Sequence, residues 1–150
     1  MKVLSKSRFK IGLSCPNKLY FSSNKSYKNK EGDNTFLASL AEGGFQVEAL
    51  ARLSYPGGHF IDAPYGAYQK AFNQTLELLK LEEVVIYEAA CLYDGLFVMT
   101  DILVKKGNQG RLMEVKAKYF DSTQANHFIG SRGDIRSGWR PDLFDISFQG

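Results

Sequence analysis

Two apolar segments joined by a short polar turn dominate the pattern of hydrophobic and polar positions along the chain. Residues 96–104 are apolar at both alternating positions, which predicts a strand that is covered on both faces and central in its sheet. Gly107-Asn108-Gln109-Gly110 predicts a four-residue hairpin loop, and the alternation from Leu112 to Lys118 predicts the return strand. Asp94-Gly95 predicts a tight turn from a preceding strand, Val84 to Leu92. The pattern therefore predicts three adjacent strands.

Apolar residues at helical spacing predict helices around these strands. Ser5 is the expected cap of a first helix, and a long helix is predicted from Thr35 to Arg52. Gly43-Gly44 interrupts that helix at about 1 kcal/mol per glycine relative to alanine, a cost that close packing on the sheet would explain. Asp62 predicts the cap of another helix, running to about Lys80 with an inward face of Phe72, Leu76 and Leu79. Strands and helices mixed in this way predict an α/β (α+β) fold with a central mixed sheet flanked by helices.

An acidic residue interrupts the most apolar strand. Asp101 shares a face with apolar neighbours, and a partly buried carboxylate is costly unless it is paired or metal-bound. A four-residue loop predicts that Lys106 faces Arg111, that Leu103 faces Glu114 and that Asp101 faces Lys116, with Glu114 diagonal to Asp101. The Asp94-Gly95 turn predicts Glu88 opposite Asp101. These four side chains, Glu88, Asp101, Glu114 and Lys116, are then expected on one patch; the alternative is a solvated hairpin with an ordinary ion pair.

Asp101, a hairpin and then Glu114-Val115-Lys116 resemble the core of the PD-(D/E)XK nucleases, in particular their RecB-like branch. The resemblance implies a restriction-endonuclease-like fold that hydrolyses phosphodiester bonds of nucleic acid, with DNA favoured over RNA. It implies that Asp101, Glu114 and the Val115 carbonyl bind Mg²⁺ or Mn²⁺ and that Lys116 either orients the attacking water or stabilises the non-bridging phosphate oxygens.

A second motif, Gly44-Phe-Gln-Val-Glu48-Ala-Leu-Ala-Arg52, is similar to the first motif of that family. The similarity implies that Glu48 completes the metal site; the alternative is an exposed helix acid. Glu88 resembles an accessory acid that RecB-like domains often carry in this strand, with pairing to Lys116 as the alternative. His59 is predicted to be a solvated turn histidine and not a catalytic base.

The two ends of the chain extend the resemblance. Ser5-Lys-Ser-Arg-Phe followed by Cys15-Pro-Asn-Lys-Leu-Tyr is similar to the N-terminal helix of RecB-like nucleases, some of which use that cysteine as an iron–sulfur ligand. Cys91 is the only other cysteine, so a cluster would need cysteines beyond residue 150; the alternative is that Cys15 is simply buried. Gln149 matches the glutamine of the family's Gln-x-x-x-Tyr helix. We therefore expect residues 1–150 to form a single RecB-like domain, truncated in its last core helix, which puts the activity of this chain in doubt.

Composition and charge narrow the classes of function. The chain is 44% hydrophobic and has no run of about 18 apolar residues and no apolar signal segment, so a cytoplasmic protein without a membrane span is predicted. Residues 1–30 carry eight Lys or Arg and no acid, and the remainder carries 11 basic (19 − 8) against 16 acidic residues. A basic arm before an acidic body predicts contact with a polyanion; for Lys25 to Lys30 a solubilising arm is favoured.

The predicted nucleic-acid contacts come from this arm and from an irregular stretch between Tyr119 and Ser137, which also offers aromatic side chains for stacking. The basic residues concerned are Lys6, Arg8, Lys18, Arg132 and Arg136. Two rival functions remain: a nucleic-acid-binding module of the same fold that has lost catalysis, and an unrelated α/β interaction domain.

Overall fold

The computed structural model describes residues 3–24, 26–27, 34–124 and 127–149, so Lys25, Lys28 and Lys30 of the predicted solubilising arm lie outside the described residues. The chain divides into two compact units, residues 1–117 and 118–150. The first contains a mixed α/β arrangement with a five-stranded mixed sheet. Its elements in chain order are β1 (Leu4–Ser5), α1 (Lys6–Ser14), α2 (Pro16–Ser22), α3 (Thr35–Leu53), β2 (His59–Phe60), α4 (Tyr68–Leu78), β3 (Glu83–Tyr93), β4 (Leu96–Lys106) and β5 (Gln109–Met113).

The predicted central hairpin is confirmed. β3 and β4 pair antiparallel over their full length, joined by a turn in which Asp94 (φ 46°) and Gly95 (φ 77°) both take the left-handed conformation. Two left-handed residues match the twist of a two-residue hairpin. Tyr87 pairs with Ile102 and Ala89 with Thr100, so this register places Glu88 opposite Asp101 as predicted.

The predicted register of the second hairpin is wrong by two residues. The turn is two residues long, Gly107 and Asn108, so Lys106 pairs with Gln109 and Leu103 with Leu112. Gly107 takes a left-handed φ of 55°, which glycine adopts without steric cost and which allows the tighter turn. Continued by one residue beyond β5, this register puts Glu114, and not Lys116, across from Asp101.

The core lies between α4 and the sheet. Ile86 has no exposed surface, and Ala71 of α4 packs into the same buried cluster with Ile61, Val84, Ala89, Ala90 and Phe97. Thr75 adds a polar link: its hydroxyl accepts a hydrogen bond from the backbone N–H of Ala90 at 2.9 Å. The buried face of α4 is therefore built on Ala71 and Thr75. The predicted inward position of Leu76 is wrong, because its side chain is 43% exposed.

Of the two predicted helix N-caps, Ser5 and Asp62, the structure confirms only the first. Ser5 caps α1 as predicted, its hydroxyl accepting a hydrogen bond from the N–H of Arg8 at 3.4 Å. The predicted cap at Asp62 is wrong, since α4 begins only at Tyr68 and its N-cap, Ala67, makes no side-chain bond. The five residues between Asp62 and Tyr68 form a loop that lines a cleft.

The long helix α3 is present, but the expected reason for its glycines is wrong. A Cβ added at Gly43 or Gly44 would meet no atom within 4 Å, so neither glycine allows a close approach to the sheet. Large apolar side chains of α3 are exposed instead: Phe36, Leu37, Leu40, Phe45, Val47, Leu50 and Leu53. Within the described ranges, no helix has both the length and the hydrophobicity needed to cross a membrane.

Candidate active site

Among the strands that the structure describes, one edge of β4 is left with a gap, and the candidate site lies there. β3 occupies the other edge of β4 throughout, whereas β1 pairs only with residues 96–97 and β5 only with residues 102–106. β1 runs parallel to β4 and β5 runs antiparallel to it. The two strands therefore run towards residues 98–101 of β4 from opposite ends. Both strands end at this gap. Lys6, the first residue after β1, and Glu114, the first residue after β5, lie beside it.

Glu114 is the most buried carboxylate of this site, with a side chain only 4% exposed. The Nζ of Lys6 donates to both of its oxygens, at 2.8 Å and 3.1 Å, and lies 3.5 Å from the carbonyl oxygen of Met99 in the gap. The Nζ of Lys116 donates to Oε1 of Glu114 at 2.5 Å. Two ammonium groups therefore compensate the charge of a carboxylate that has little access to water.

The carboxylate of Asp101 is hydrogen-bonded to the backbone just after the end of β5. The N–H of Val115 donates to its Oδ2 at 2.5 Å. Burial is the largest influence on this carboxyl and raises its pKa above the ordinary range, and the charges of Glu114 and Glu48 act in the same direction. The Val115 hydrogen bond and the charge of Lys6 oppose that shift. The charge of Glu114, just after β5, therefore acts on Asp101 of the neighbouring strand β4.

A second pair of acids meets at the end of α3. Arg52 donates through Nη2 to Glu48 one turn earlier and also to Oε1 of Glu88 at 3.2 Å. The Glu48 side chain is 15% exposed, so the alternative that it is a plain exposed helix acid is wrong. The hydroxyl of Tyr87 donates to the carbonyl of Tyr55 and lies 3.4 Å from that of Arg52. This hydroxyl fastens the end of α3 to β3 and so holds Arg52 against both acids.

Glu88 has an unusual backbone conformation for a strand residue. Its φ is 56°, a left-handed value that costs a non-glycine residue about 1 kcal/mol or more. Burial raises its pKa to about 7, assisted by a hydrogen bond with Glu48 and by the charges of Glu48 and Asp101, against the opposing charge of Arg52. The acids of the two pairs thus influence one another, and together they form one group of four: Glu48, Glu88, Asp101 and Glu114.

A cleft of about 610 Å³ opens beside this acidic group. Asp101 and Glu88 contribute to its lining, as do Lys6 and Arg8 of α1. The loop before α4 contributes Tyr65, whose side chain is fully exposed. The cleft therefore combines carboxylates, cations and an accessible aromatic ring.

Several predicted residues lie outside this group. Cys15 is exposed, so the alternative that it is simply buried is wrong. Lys18 is exposed on α2, and His59 is exposed on β2. Arg132, Arg136 and Gln149 belong to the second unit, where a short 3-10 helix (Ser137–Trp139) precedes α5 (Arg140–Gln149).

The second unit has its own cluster of side chains. The Nζ of Lys118 lies 4.0 Å from the centre of the Trp139 ring and 2.7 Å from a carboxylate oxygen of Asp142. The indole N–H of Trp139 donates to the carbonyl of His127 at 3.0 Å. Arg132 and Arg136 are both exposed in this unit.

The sequence reasoning missed two contacts of the site. Arg52 was detectable, because it stands four residues after Glu48 and such pairs are neighbours on a helix. The role of Lys6 was not detectable in this way, since 108 residues separate it from Glu114. Only the convergence of β1 and β5 on the gap brings these two side chains together.

The donor set fits a hard divalent cation in its chemistry, since carboxylate and carbonyl oxygens are the ligands that Mg²⁺ and Mn²⁺ prefer. Among the described residues, no three His, Cys, Asp or Glu side chains are arranged as they stand to hold a metal ion. The carboxylates are engaged by Lys6, Lys116 and Arg52 instead. Comparison with protein-family models, with curated proteins and with solved structures finds no match.

Proposed function

We propose that this chain is a divalent-metal-dependent nuclease of the PD-(D/E)XK type, with a restriction-endonuclease-like core of the RecB-like branch. One observation carries the proposal: the side chain of Glu114, the first residue after β5, is 4% exposed, its charge acts on Asp101 of β4, and it contacts the ammonium of Lys116 two residues later. Two neighbouring acids with an adjacent ammonium can bind a metal ion and stabilise negative charge, which is the chemistry of metal-assisted phosphodiester hydrolysis.

Asp101, Glu114, the carbonyl of Val115 and Glu48 would hold Mg²⁺ or Mn²⁺. In the part of the chain that the structure describes, Lys6, Arg52 and Lys116 form ion pairs with acids of this group, yet burial and repulsion between neighbouring acids raise the pKa values of Asp101 and Glu88. A divalent ion would offset that repulsion and stabilise the ionised carboxylates. When bound, the ion supplies positive charge at the scissile phosphate and lowers the pKa of an attacking water.

The remaining chemistry belongs to side chains of the chain. Lys116 stabilises negative charge on the phosphate oxygens or orients the attacking water, because its ammonium is held by Glu114, one of the two acids. Arg8 and Lys6 line the cleft and attract the phosphate backbone, and Tyr65 offers a ring on which a base stacks. Lys18, Arg132 and Arg136, all exposed, are proposed as further phosphate contacts, with DNA the favoured substrate and Gln149 an accessory residue.

The test measures cleavage of labelled single-stranded and duplex DNA in Mg²⁺ or Mn²⁺ by the wild type, Asp101→Asn, Glu114→Gln and Lys116→Ala. We expect each substitution to lower the rate at least a hundredfold, because metal binding and charge stabilisation each contribute several kcal/mol. Glu77→Gln is the matched control, since it removes a carboxylate of α4 from an exposed ion pair with Lys80, which lies in the turn after the helix. Undiminished cleavage by folded Asp101→Asn would refute the assignment.

A second candidate, a nucleic-acid-binding module of the same fold without catalysis, is favoured by the internal ion pairs. Glu114 is held by two lysines and Glu48 by Arg52, so their charges are compensated without a metal. Calorimetric titration with Mn²⁺ separates the two functions. Binding that is lost in Glu114→Gln favours the nuclease, whereas DNA binding with no carboxylate-dependent Mn²⁺ binding favours the module.

A further inference from the structure

The charges of Lys6 and Glu114 are less screened by solvent than those of a surface ion pair. The ammonium of Lys6 reaches both carboxylate oxygens, at 2.8 Å and 3.1 Å, and the two side chains are 20% and 4% exposed. Solvent screening is weak for a pair with so little exposure, so their attraction is larger than that of an exposed pair. Lys6 is thus a principal neutralising charge of the most buried acid in the site.

Lys6 and Lys116 engage this acid in different ways. Lys116 follows Glu114 by two residues on the same strand end and lies 2.5 Å from Oε1, with a side chain 33% exposed. Lys6 arrives from the opposite side of the gap and covers Oε2 as well as Oε1. A divalent ion that binds Glu114 through either oxygen therefore competes directly with the ammonium of Lys6.

We propose that Lys6 is an internal cation that neutralises Glu114 in the metal-free chain and releases this carboxylate when a divalent ion binds. The inference rests on the proposed function, because it concerns the same metal site. Lys6 is a positioning residue in this role, acting through Glu114. Its side chain lines the cleft together with Arg8, so the released ammonium is available to a phosphate group that enters there.

This exchange has a thermodynamic consequence. Binding of a divalent ion must include the free energy of separating Lys6 from Glu114, so the present site binds the ion more weakly than the same site without Lys6. Two unit charges at this separation, with little solvent between them, interact strongly enough to change a binding constant roughly tenfold or more. We therefore expect removal of the ammonium to tighten Mn²⁺ binding about tenfold.

The experiment measures the Mn²⁺ dissociation constant by calorimetry at pH 8 for the full chain. The variants are Lys6→Met, which removes the ammonium, Lys6→Arg, which keeps a cation, and Glu114→Gln, which removes the carboxylate. Lys80→Met is the matched control, because Lys80 also contacts both oxygens of a glutamate, Glu77, at 2.8 Å and 2.7 Å, but both side chains of that pair are exposed. Thermal unfolding checks that each variant is folded, and Lys6→Gln replaces Lys6→Met if the latter is not.

We expect Lys6→Met to bind Mn²⁺ about tenfold more tightly than the wild type, Lys6→Arg to bind no more tightly, and Lys80→Met to be unchanged. Equal or weaker binding by Lys6→Met would overturn the inference, even where the wild type binds through Glu114 and the metal site stands. Tighter binding without cleavage by the wild type would instead support the role of Lys6 and reject the nuclease. Absence of Mn²⁺ binding in both the wild type and Lys6→Met would reject the role of Lys6 and the metal site together.

Discussion

At the scale of single residues, Glu88 combines backbone strain with an unfavourable charge. Its left-handed φ of 56° lies in the middle of a strand whose pairing continues unbroken on both sides. Such strain persists only where the surrounding structure enforces it, and it concentrates at functional sites. Here Arg52 holds the carboxylate at 3.2 Å while Glu48 and Asp101 repel it. Glu88 is therefore the residue at which the charge balance of the acidic group can be measured.

The first prediction concerns Glu88→Gln and pH. Burial and the adjacent acids raise the pKa of Glu88 from 4.5 to about 7, so the folded chain keeps a proton that the unfolded chain loses. The stability due to that proton is complete below pH 4.5 and is lost as pH rises through 7. Because the side chain is 34% exposed, we expect a discounted gain of about 1–2 kcal/mol for Glu88→Gln at pH 8, vanishing near pH 4.

Urea unfolding of the wild type and Glu88→Gln at pH 4, 6 and 8 measures this difference. Glu83→Gln is the control, since it removes an exposed carboxylate from the first residue of the same strand. A gain of equal size in Glu83→Gln, or a Glu88→Gln gain that does not change with pH, would contradict the assignment of the proton to Glu88.

At the scale of secondary-structure elements, the contact between the end of α3 and β3 depends on one tyrosine and one glycine. The hydroxyl of Tyr87 meets the carbonyls of Tyr55 and Arg52 and accepts a hydrogen bond from the N–H of Gly58 at 3.3 Å. A Cβ added at Gly58 would overlap the Tyr87 ring. The glycine is needed for this close approach, whereas Gly43 and Gly44 within α3 face open space.

The second prediction contrasts these glycines. Gly58→Ala should lower the free energy of unfolding by about 1–3 kcal/mol, because the methyl group displaces the ring that fastens α3 to β3. Gly44→Ala should raise it by about 0.5–1 kcal/mol, because alanine is the better helix former and meets no obstruction. Denaturant midpoints measure both changes. A destabilised Gly44→Ala would show that α3 packs more closely than its exposed side chains indicate.

At the scale of the whole molecule, the sequence predicted elements better than it predicted their alignment. The apolar run of β4, the Asp94-Gly95 turn and the cap at Ser5 follow from local patterns, and all are confirmed. The predicted register of the second hairpin was wrong by two residues. The choice between a two- and a four-residue turn depends on which cross-strand side-chain pairs pack best on the two faces of the sheet.

The candidate site was predictable only in its local parts. The acids Asp101 and Glu114 stand out because each belongs to a strand end or an apolar strand, where a carboxylate needs a partner. The contact of Lys6 with Glu114 depends on two strands that end at one gap, a long-range feature that no spacing in the sequence records. The apolar residues of α3 predicted a helix packed on the sheet, whereas several of their side chains are exposed. Helical periodicity identifies an apolar face but does not show whether another element covers it.

The third prediction follows from the uneven charge of the chain and rests on its proposed binding of nucleic acid. Residues 1–30 carry eight basic residues and no acid, and Lys6 and Arg8 of this segment line the cleft. Each phosphate contact releases counterions, so the slope of log affinity against log salt should fall by about 0.7–0.9 when one contact is removed. Anisotropy titrations of labelled DNA in EDTA, from 50 to 200 mM salt, should give this reduction for Arg8→Gln and for Lys18→Gln. Lys70→Gln, which removes an exposed charge from α4, should leave the slope unchanged, and an equal effect of all three variants would show that net charge alone governs binding.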